Sequence, residues 1–512
     1  MKKILGIELG STRIKSVLTD ENAVILAQGV YEWENVLVDG LWSYPMSEVE
    51  KGIRESYASL VKNYGQTIST LDAIGVSAMM HGHLAFDKDD NLLVPFRTWR
   101  NTHTLKASEE LSTLLSFNVP MRWSCSQYYQ AVLDNEDHVK NIAHLNTLAG
   151  YVHYRLTGER VLGLNDGSGV FPLDGDKYDK KRMVLFNERL KEKGVEVDFE
   201  SLIPKVLPAG SIAGRLTEEG AKWLDETGNL QAGCILCPPE GDMGTGIVAT
   251  NSVSPNTANV SAGTSVNMTV TLGKPLNNYY KELDVIATPD GNPAVIIHSN
   301  NCTTEINAWV ETFDEVLKLF GKEVPKGELY EKLFKVSLDS DNTVGEIVSY
   351  NFTAGEPIVG TMDGSPMTLR SPDGNMSLAN FMQSQMYSAV APISFGVGIL
   401  ENEGVKVEKV LAHGGFYKTD FVGQNATSAM LKIPVTVQET ASEGGAWGMA
   451  LLALFSTVKG KTLPQFLQDI FGLMKNKVVM ASEEEISKCD NFMKNYKKML
   501  KTAKLASELF KN

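Results

Sequence analysis

Cysteine is scarce in this chain. There are five in 512 residues, an odd number and thinly spread, which excludes a disulfide framework and fits a reducing cytoplasm. Cys234 and Cys237 make a C-x-x-C, yet no second pair and no histidine pair at finger spacing completes a zinc site. Long apolar runs are missing as well. No uninterrupted stretch reaches the ~20 residues of a membrane span. Lys3-Ile4-Leu5-Gly6-Ile7 goes straight into a strand, with no signal-like core ahead of it. A cytoplasmic location with no membrane partner is the expectation. Basic residues are outnumbered, 48 Lys and Arg against 62 Asp and Glu, for a formal net charge of −14. That balance excludes a broad nucleic-acid-binding face. An anionic substrate must then be held by local donors and a metal. No G-x-G-x-x-G sits between a strand and a helix, which excludes a dinucleotide-binding start.

What the chain does have is length enough for two large domains with full cores and a 43% hydrophobic fraction, ordinary for an enzyme. It also has two related turns. Gly6-Ile7-Glu8-Leu9-Gly10-Ser11-Thr12-Arg13 and Ser261-Ala262-Gly263-Thr264-Ser265 each carry an apolar strand into a small, hydroxyl-bearing, Gly-containing turn. Such a turn leaves backbone N–H groups free, and the missing Cβ of glycine lets an oxyanion come close. One turn alone means little. Two of them, in separate halves, suggest two lobes facing one nucleotide across a cleft.

Periodicity places the other elements. Strands are expected at Lys3–Glu8, Ile14–Thr19 and Ala23–Gly29. Ile14-Lys15-Ser16-Val17-Leu18 alternates as a strand where a Rossmann glycine loop would open a helix. A helix over 46–63 follows, then a buried strand at Leu71–Met79 and a hairpin of Leu84–Phe86 with Leu92–Val94. Further helices are expected over 105–117 and 137–157. After Ala249 a second strand-rich block, Ala258–Ser261, Val266–Leu272 and Ala294–His298, echoes the first and points to a duplicated core. Phe381–Gly398 reads as a long helix and Val410–Ala412 as a strand. The run from Gly444 reads as a small-residue helix, and the region from Leu463 as helical with solvated charged faces.

The order of the motifs resembles the FGGY family of carbohydrate kinases over nearly the whole chain. The matching segments begin with Glu8-Leu9-Gly10-Ser11-Thr12 followed by Lys15, then Met80-His81-Gly82, Trp99-Arg100-Asn101 and Tyr151–Gly158. They continue with Asn165-Asp166-Gly167-Ser168, Glu240-Gly241-Asp242-Met243-Gly244-Thr245-Gly246 and Gly263-Thr264-Ser265. They end with Gly414-Gly415-Phe416 and Glu443-Gly444-Gly445-Ala446. The chain departs from the family pattern at Glu8 and Asn101, each in place of an Asp, at Phe416 in place of a third glycine, and in Asn351–Pro357. These changes mark a divergent branch.

The resemblance implies an α/β fold of two actin-like, hexokinase-like (ribonuclease H-like) ATPase domains around a central cleft. Residues 1–248 would carry the sugar and the catalytic base, and 249–512 the nucleotide. It implies ATP and Mg²⁺, and a small sugar as acceptor. Met80-His81-Gly82 resembles the xylulokinase branch, so a ketopentose, L-ribulose or D-xylulose, is the first expectation. L-Fuculose, L-rhamnulose, gluconate and glycerol stay open, and so does a homodimer.

Phosphorylating a hydroxyl requires neutralised phosphate charge, an aligned hydroxyl and an acceptor for its proton. Asp242 lies between glycines after a strand, where an Asp either caps a helix or projects into a cleft as a base. The resemblance implies the base, and it implies Glu8 and Asp242 at the Mg²⁺. It also implies sugar contacts from Met80, His81, Gly82, Trp99, Asn101, Asp166 and Gly241, with Arg97, Arg100 and His103 as further polar candidates. ATP contacts are implied for Gly10, Ser11, Thr12, Arg13 and Lys15, and for Gly263, Thr264, Ser265, Gly414, Gly415 and Phe416. Read alone, Arg13 is either a phosphate clamp or a surface charge, and His81 either a sugar ligand or a satisfied core histidine. The alternative functions are an actin-like ATPase without an acceptor and a sugar-binding regulator without catalysis.

Overall fold

Ile4–Leu9 (β1), Arg13–Thr19 (β2) and Ile25–Glu32 (β3) form an antiparallel meander in a computed structural model that describes residues 2–438, 444–472 and 476–509. β1 pairs in parallel with Ala73–Ala78 (β4), whose residues are all buried because both faces of the sheet are covered. Gly214–Arg215 (β5), Ile235–Leu236 (β6) and Glu240–Gly241 (β7) complete this sheet. Its order is β5-β6-β4-β1-β2-β3, with β7 also on β4.

The second sheet is built from Thr257–Ala262 (β8), Val266–Thr271 (β9), Asp284–Ala287 (β10), Pro293–Ser299 (β11), Lys409–His413 (β12), Val435–Gln438 (β13) and Asn476–Val479 (β14). Its order is β10-β11-β9-β8-β12-β13-β14. In each sheet an antiparallel trio, β3-β2-β1 or β11-β9-β8, continues through two parallel strands, β4 and β6 or β12 and β13. The duplicated core expected from the sequence is there, and the fold is a two-domain α/β arrangement.

The helices that bear on the site are Met46–Tyr64 (α1), Ser124–Leu133 (α2), Leu148–Thr157 (α3), Leu164–Ser168 (α4), Asp242–Ala249 (α5), Thr304–Leu319 (α6), Lys326–Val336 (α7), Leu378–Asn402 (α8) and Gly444–Phe455 (α9). α9 comes from near the end of the chain yet lies on the first sheet. Gly6 on β1 and Gly75 on β4 are register partners. A Cβ at Gly6 would sit 2.1 Å from the Ala446 carbonyl oxygen, and one at Gly75 2.7 Å from Met449 Cε. The two glycines open a groove for a helix of small residues, and Ala446 and Ala450 share a core with Ile4, Val17 and Ala73. α5 packs on the same helix, since a Cβ at Gly448 would lie 2.2 Å from the Thr245 carbonyl oxygen. The packing unit around the first sheet is therefore not contiguous in sequence.

Local expectations fail where tertiary pairing takes over. Leu84–Phe86 pairs with His144–Asn146, and Leu92 makes only an isolated bridge to Phe86. Residues 137–157 are accordingly not one helix. A 3₁₀ turn at Asp137–Asn141 and the His144–Asn146 strand precede α3, whose start is fixed by Thr147 Oγ1 accepting the Gly150 N–H at 3.0 Å. The helix expected over 105–117 is Leu105–Leu115, because Ser116 turns left-handed. Beyond Leu463, β14 separates the helices Leu463–Phe471 and Glu483–Leu509. All five cysteines are free thiols. Among the described residues no helix is long and apolar enough to cross a membrane.

Candidate active site

The two Gly-hydroxyl turns end the equivalent strands β1 and β8. In the first, the Gly10 N–H closes on the Arg13 carbonyl at 3.0 Å. The carbonyls of Gly10 and Ser11 accept from Trp33 Nε1 and the Tyr44 hydroxyl, both at 2.7 Å, and that of Thr12 accepts from the Trp33 N–H at 3.1 Å. The carbonyl side of the turn is thus anchored, while Ser11, Thr12 and Arg13 stay exposed. Lys15 lies opposite Glu8 in the β1–β2 register. In the second turn, the Gly263 carbonyl accepts from the N–H and Oγ1 of Thr303 at 3.1 and 2.7 Å, just before α6, and Thr264 is exposed.

β12 is followed by Gly414, whose φ of +108° and whose missing Cβ, 2.2 Å from the Ala262 carbonyl oxygen, demand glycine. The turn delivers Gly415 to a cavity of about 670 Å³, lined by Thr303, Asn307, Tyr330, Phe334 and Lys418. Phe416, expected at the nucleotide, turns its side chain the other way. It is fully buried, with ring centroids 6.4 Å from Phe334 and 5.3 Å from Tyr417. Its apolar ring has more to gain from the core than from the cleft. Asn307 and Tyr330, on α6 and α7, carry no signal in the sequence.

Asp242 is the first residue of α5. Gly241 holds the capping position, so the Asp242 carboxylate does not cap the helix. Burial pushes it up to about 6, against the pull of the Met80 and Met243 N–H groups and the Arg122 charge. Gly241 lets this backbone touch the Met80 loop, since a Cβ there would lie 2.2 Å from Met80 Cγ. Glu8, on β1, is pushed up to about 7, first by burial and then by the negative charge of Asp242. Its Oε2 accepts the Ala446 N–H at 3.1 Å. Two mutually repelling carboxylates at the end of a cleft are a donor set that a divalent cation neutralises. Among the described residues no three His, Cys, Asp or Glu side chains form a closed cage.

His81 is buried at a φ of +72°, with its Nδ1 3.3 Å from the Gly169 carbonyl and its ring stacked 6.3 Å from Trp123. Burial and the Arg122 charge hold it well below the usual imidazole range, hence neutral. Gly82, at a φ of +101°, leaves room for Phe96. Met80 packs with Met243 and with Ile286, Ala294 and Ile296 of the other lobe. Asp166, on α4, is buried, accepts the Thr147 hydroxyl at 2.5 Å and has its second oxygen unpartnered. Trp99 is 41% exposed.

Asn101 is committed to the fold. Its Oδ1 accepts from the Trp42 N–H at 2.8 Å, and its Nδ2 donates to the carbonyls of Trp42 and Thr98 at 2.9 and 3.2 Å. Arg100 stacks 4.1 Å over the Trp42 ring. Arg97 pairs with Glu136 beside His83 and His138, whose Nε2 atoms are 3.1 Å apart, and His103 adjoins this cluster. Arg97 bridges to His83, next to the Met80-His81-Gly82 turn, whereas Arg100 and Asn101 bond to Asn35 and Trp42. Glu443 lies outside the described residues.

Arg122, Asp284 and Asn165, the last within a matched motif but without an expected role, connect the lobes. Asn165 on α4 accepts the Gly244 N–H of α5 at 2.8 Å and donates to the Ala287 carbonyl of β10 at 2.8 Å. Arg122, before α2, makes an ion pair with Asp284 of β10. No local pattern could have revealed these pairs, because each joins segments far apart in the chain.

Residues 3–227 match the N-terminal domain of the FGGY family of carbohydrate kinases, and residues 258–457 match its C-terminal domain. The chain belongs to the FGGY family. It is a carbohydrate kinase. It is similar to a xylulose kinase of Haemophilus influenzae, 23% identical over 408 residues that cover 78% of each chain. The fold of the kinase matches a ligand-bound xylulose kinase and a gluconate kinase, both from Lactobacillus acidophilus, over the full length of each, with TM-scores of 0.81 and 0.82 and identities of 16% and 15%. At such identities the likeness concerns the fold and leaves the sugar open.

Proposed function

We propose that this kinase transfers the γ-phosphoryl group of ATP to a hydroxyl of a small ketopentose, D-xylulose or L-ribulose. The observation that carries the reading is Asp242, poised at the first residue of α5 beside Glu8 and the Met80-His81-Gly82 turn. A carboxylate near 6 is largely ionised at neutral pH and still basic enough to take the hydroxyl proton as the phosphoryl group arrives. His81 donates from Nδ1 to the Gly169 carbonyl, so its neutral ring offers Nε2 as an acceptor for a sugar hydroxyl.

The cavity beside Gly415 receives the adenosine, and the two turns with Ser11, Thr12, Arg13 and Thr264 receive the phosphates. Glu8 and Asp242 would hold Mg²⁺, which neutralises phosphate charge when bound. Closure of the lobes excludes water and limits hydrolysis. The ketopentose is supported by Met80-His81-Gly82 and by the xylulose kinase relatives.

The test is ADP release with Mg-ATP against D-xylulose, L-ribulose, L-fuculose, L-rhamnulose, gluconate and glycerol. A large rate that depends on a ketopentose is expected. Slow hydrolysis unchanged by every sugar would favour the ATPase without an acceptor.

A further inference from the structure

The short helix α4 begins at Gly163, which has no side chain to cap its first turn. Glu240 of β7 stands in for that side chain. The three atoms nearest to a Cβ at Gly163 are Glu240 Cδ, Oε1 and Oε2, at 2.1, 2.2 and 2.5 Å. The carboxyl group thus occupies the place of the missing side chain. Its Oε2 accepts the Asp166 N–H at 3.2 Å, the bond that a capping side chain makes three residues on. One residue earlier, the Pro239 carbonyl accepts the Gly163 N–H at 2.7 Å. Glu240 is 1% exposed, and its Oε1 has no hydrogen-bond partner among the described residues. A buried carboxyl group with an unbonded oxygen destabilises a fold, which points to a use beyond packing.

α4 meets several parts of the acceptor end of the cleft. Asn165 accepts the Gly244 N–H of α5, the helix that Asp242 begins, and donates to the Ala287 carbonyl of β10. Ser168 Oγ accepts the Ala287 N–H at 3.0 Å. The Gly169 carbonyl, at the end of α4, takes the bond from His81 Nδ1. A shift of α4 would move His81 and α5 relative to each other.

We propose that Glu240 is a positioning residue for phosphoryl transfer. By capping α4 from β7, it fixes the helix that sets His81, Asp242 and β10 against one another. The inference rests on the reading of Asp242 as the base. Residues 239–242 then do two things at once. They deliver the base to the cleft, and they hold the helix that frames it. A reacting group misplaced by about 1 Å loses on the order of a hundredfold in rate, so a cap two residues from the base bears on the chemistry.

The experiment compares E240A, E240Q and the double variant E240A/G163S with the wild type, on the sugar that the wild type phosphorylates. Circular dichroism checks the fold. In E240A, kcat falls by about tenfold to a hundredfold and the sugar KM rises. The KM for ATP stays, because α4 does not line the cavity beside Gly415. E240Q keeps an oxygen for the Asp166 N–H and retains wild-type values. In E240A/G163S the introduced hydroxyl caps α4 from position 163, whose extended backbone (φ −76°, ψ 166°) suits a cap, and most of the lost kcat returns. A merely structural role would lower the amount of folded kinase and leave the sugar KM unmoved. An unchanged kcat in E240A, an E240Q as impaired as E240A, or a double variant with no recovery overturns the assignment. If E240A does not fold, wild-type kinetics in E240Q and a folded, active double variant uphold it, and the loss of either overturns it. Near-normal turnover in D242N overturns the reading of the base itself, whatever E240A does.

Discussion

The carboxylate of Glu8 and the backbone N–H of Ala446 meet at 3.1 Å, although 438 positions separate them. The contact sets the positive end of α9 against the acid on β1. Gly445 makes room for it, because a Cβ there would lie 2.2 Å from Glu8 Oε1.

Gly445→Ala should therefore displace the Glu8 carboxylate without disturbing the sheet. The Mg²⁺ concentration for half-maximal activity is expected to rise by about tenfold, the usual scale for losing a group that orients a metal ligand. A Mg²⁺ titration of the variant, with circular dichroism to check the fold, measures this. An unshifted titration would remove Glu8 from the metal site.

Asp242→Asn keeps the shape of the side chain and loses the base. We expect kcat to fall by about 10²–10⁴, with ATP affinity within a few-fold of wild type. Turnover assays paired with calorimetric ATP binding test both halves, and near-normal turnover would reject Asp242 as the base.

Gly6→Ala places a methyl group 2.1 Å from the Ala446 carbonyl oxygen and 2.6 Å from the Ala450 nitrogen, backbone atoms that cannot swing away. A loss of about 3 kcal/mol or more is expected from such overpacking. Gly398→Ala on α8 meets nothing within 4 Å and should gain about 0.5–1 kcal/mol from helix propensity. Urea unfolding of the two variants should move in opposite directions.

Burial lifts the Asp166 carboxyl to about 7, with the Asp242 charge adding to the rise. The folded protein thus favours its protonated form. The resulting stabilisation is complete below the unfolded value of about 4 and is lost as pH climbs through the folded value near 7. Asp166→Asn removes the titration and can still accept the Thr147 hydroxyl bond. Its Tm minus that of the wild type should grow between pH 4 and pH 7. A difference that stays flat across that range would show Asp166 to be ionised throughout.

Much of the strand framework was legible because its signals are local. Ile14–Thr19 is a short run rich in β-branched residues, Gly10-Ser11-Thr12 marks a turn, and Ala73–Ala78 holds only small or apolar residues, as suits a strand covered on both faces. The ordered motifs, and with them the family, were legible for the same reason. Asn101 and Phe416 could not be placed this way. A carboxamide serves a sugar or the Trp42 backbone equally well, and an aromatic ring lines a pocket or fills a core equally well. Only the neighbours decide.

Local residue patterns encode two duplicated α/β cores, each ending a strand in a Gly-hydroxyl turn, and the acid after Gly241. The tertiary structure alone decided which distant groups complete them. It laid α9 across β1 to meet Glu8, joined Asn165 to both Gly244 and Ala287, and paired Arg122 with Asp284. The reason is physical. Turn and strand propensities act over a few residues, whereas burial and charge pairing act between whichever surfaces the fold brings into contact.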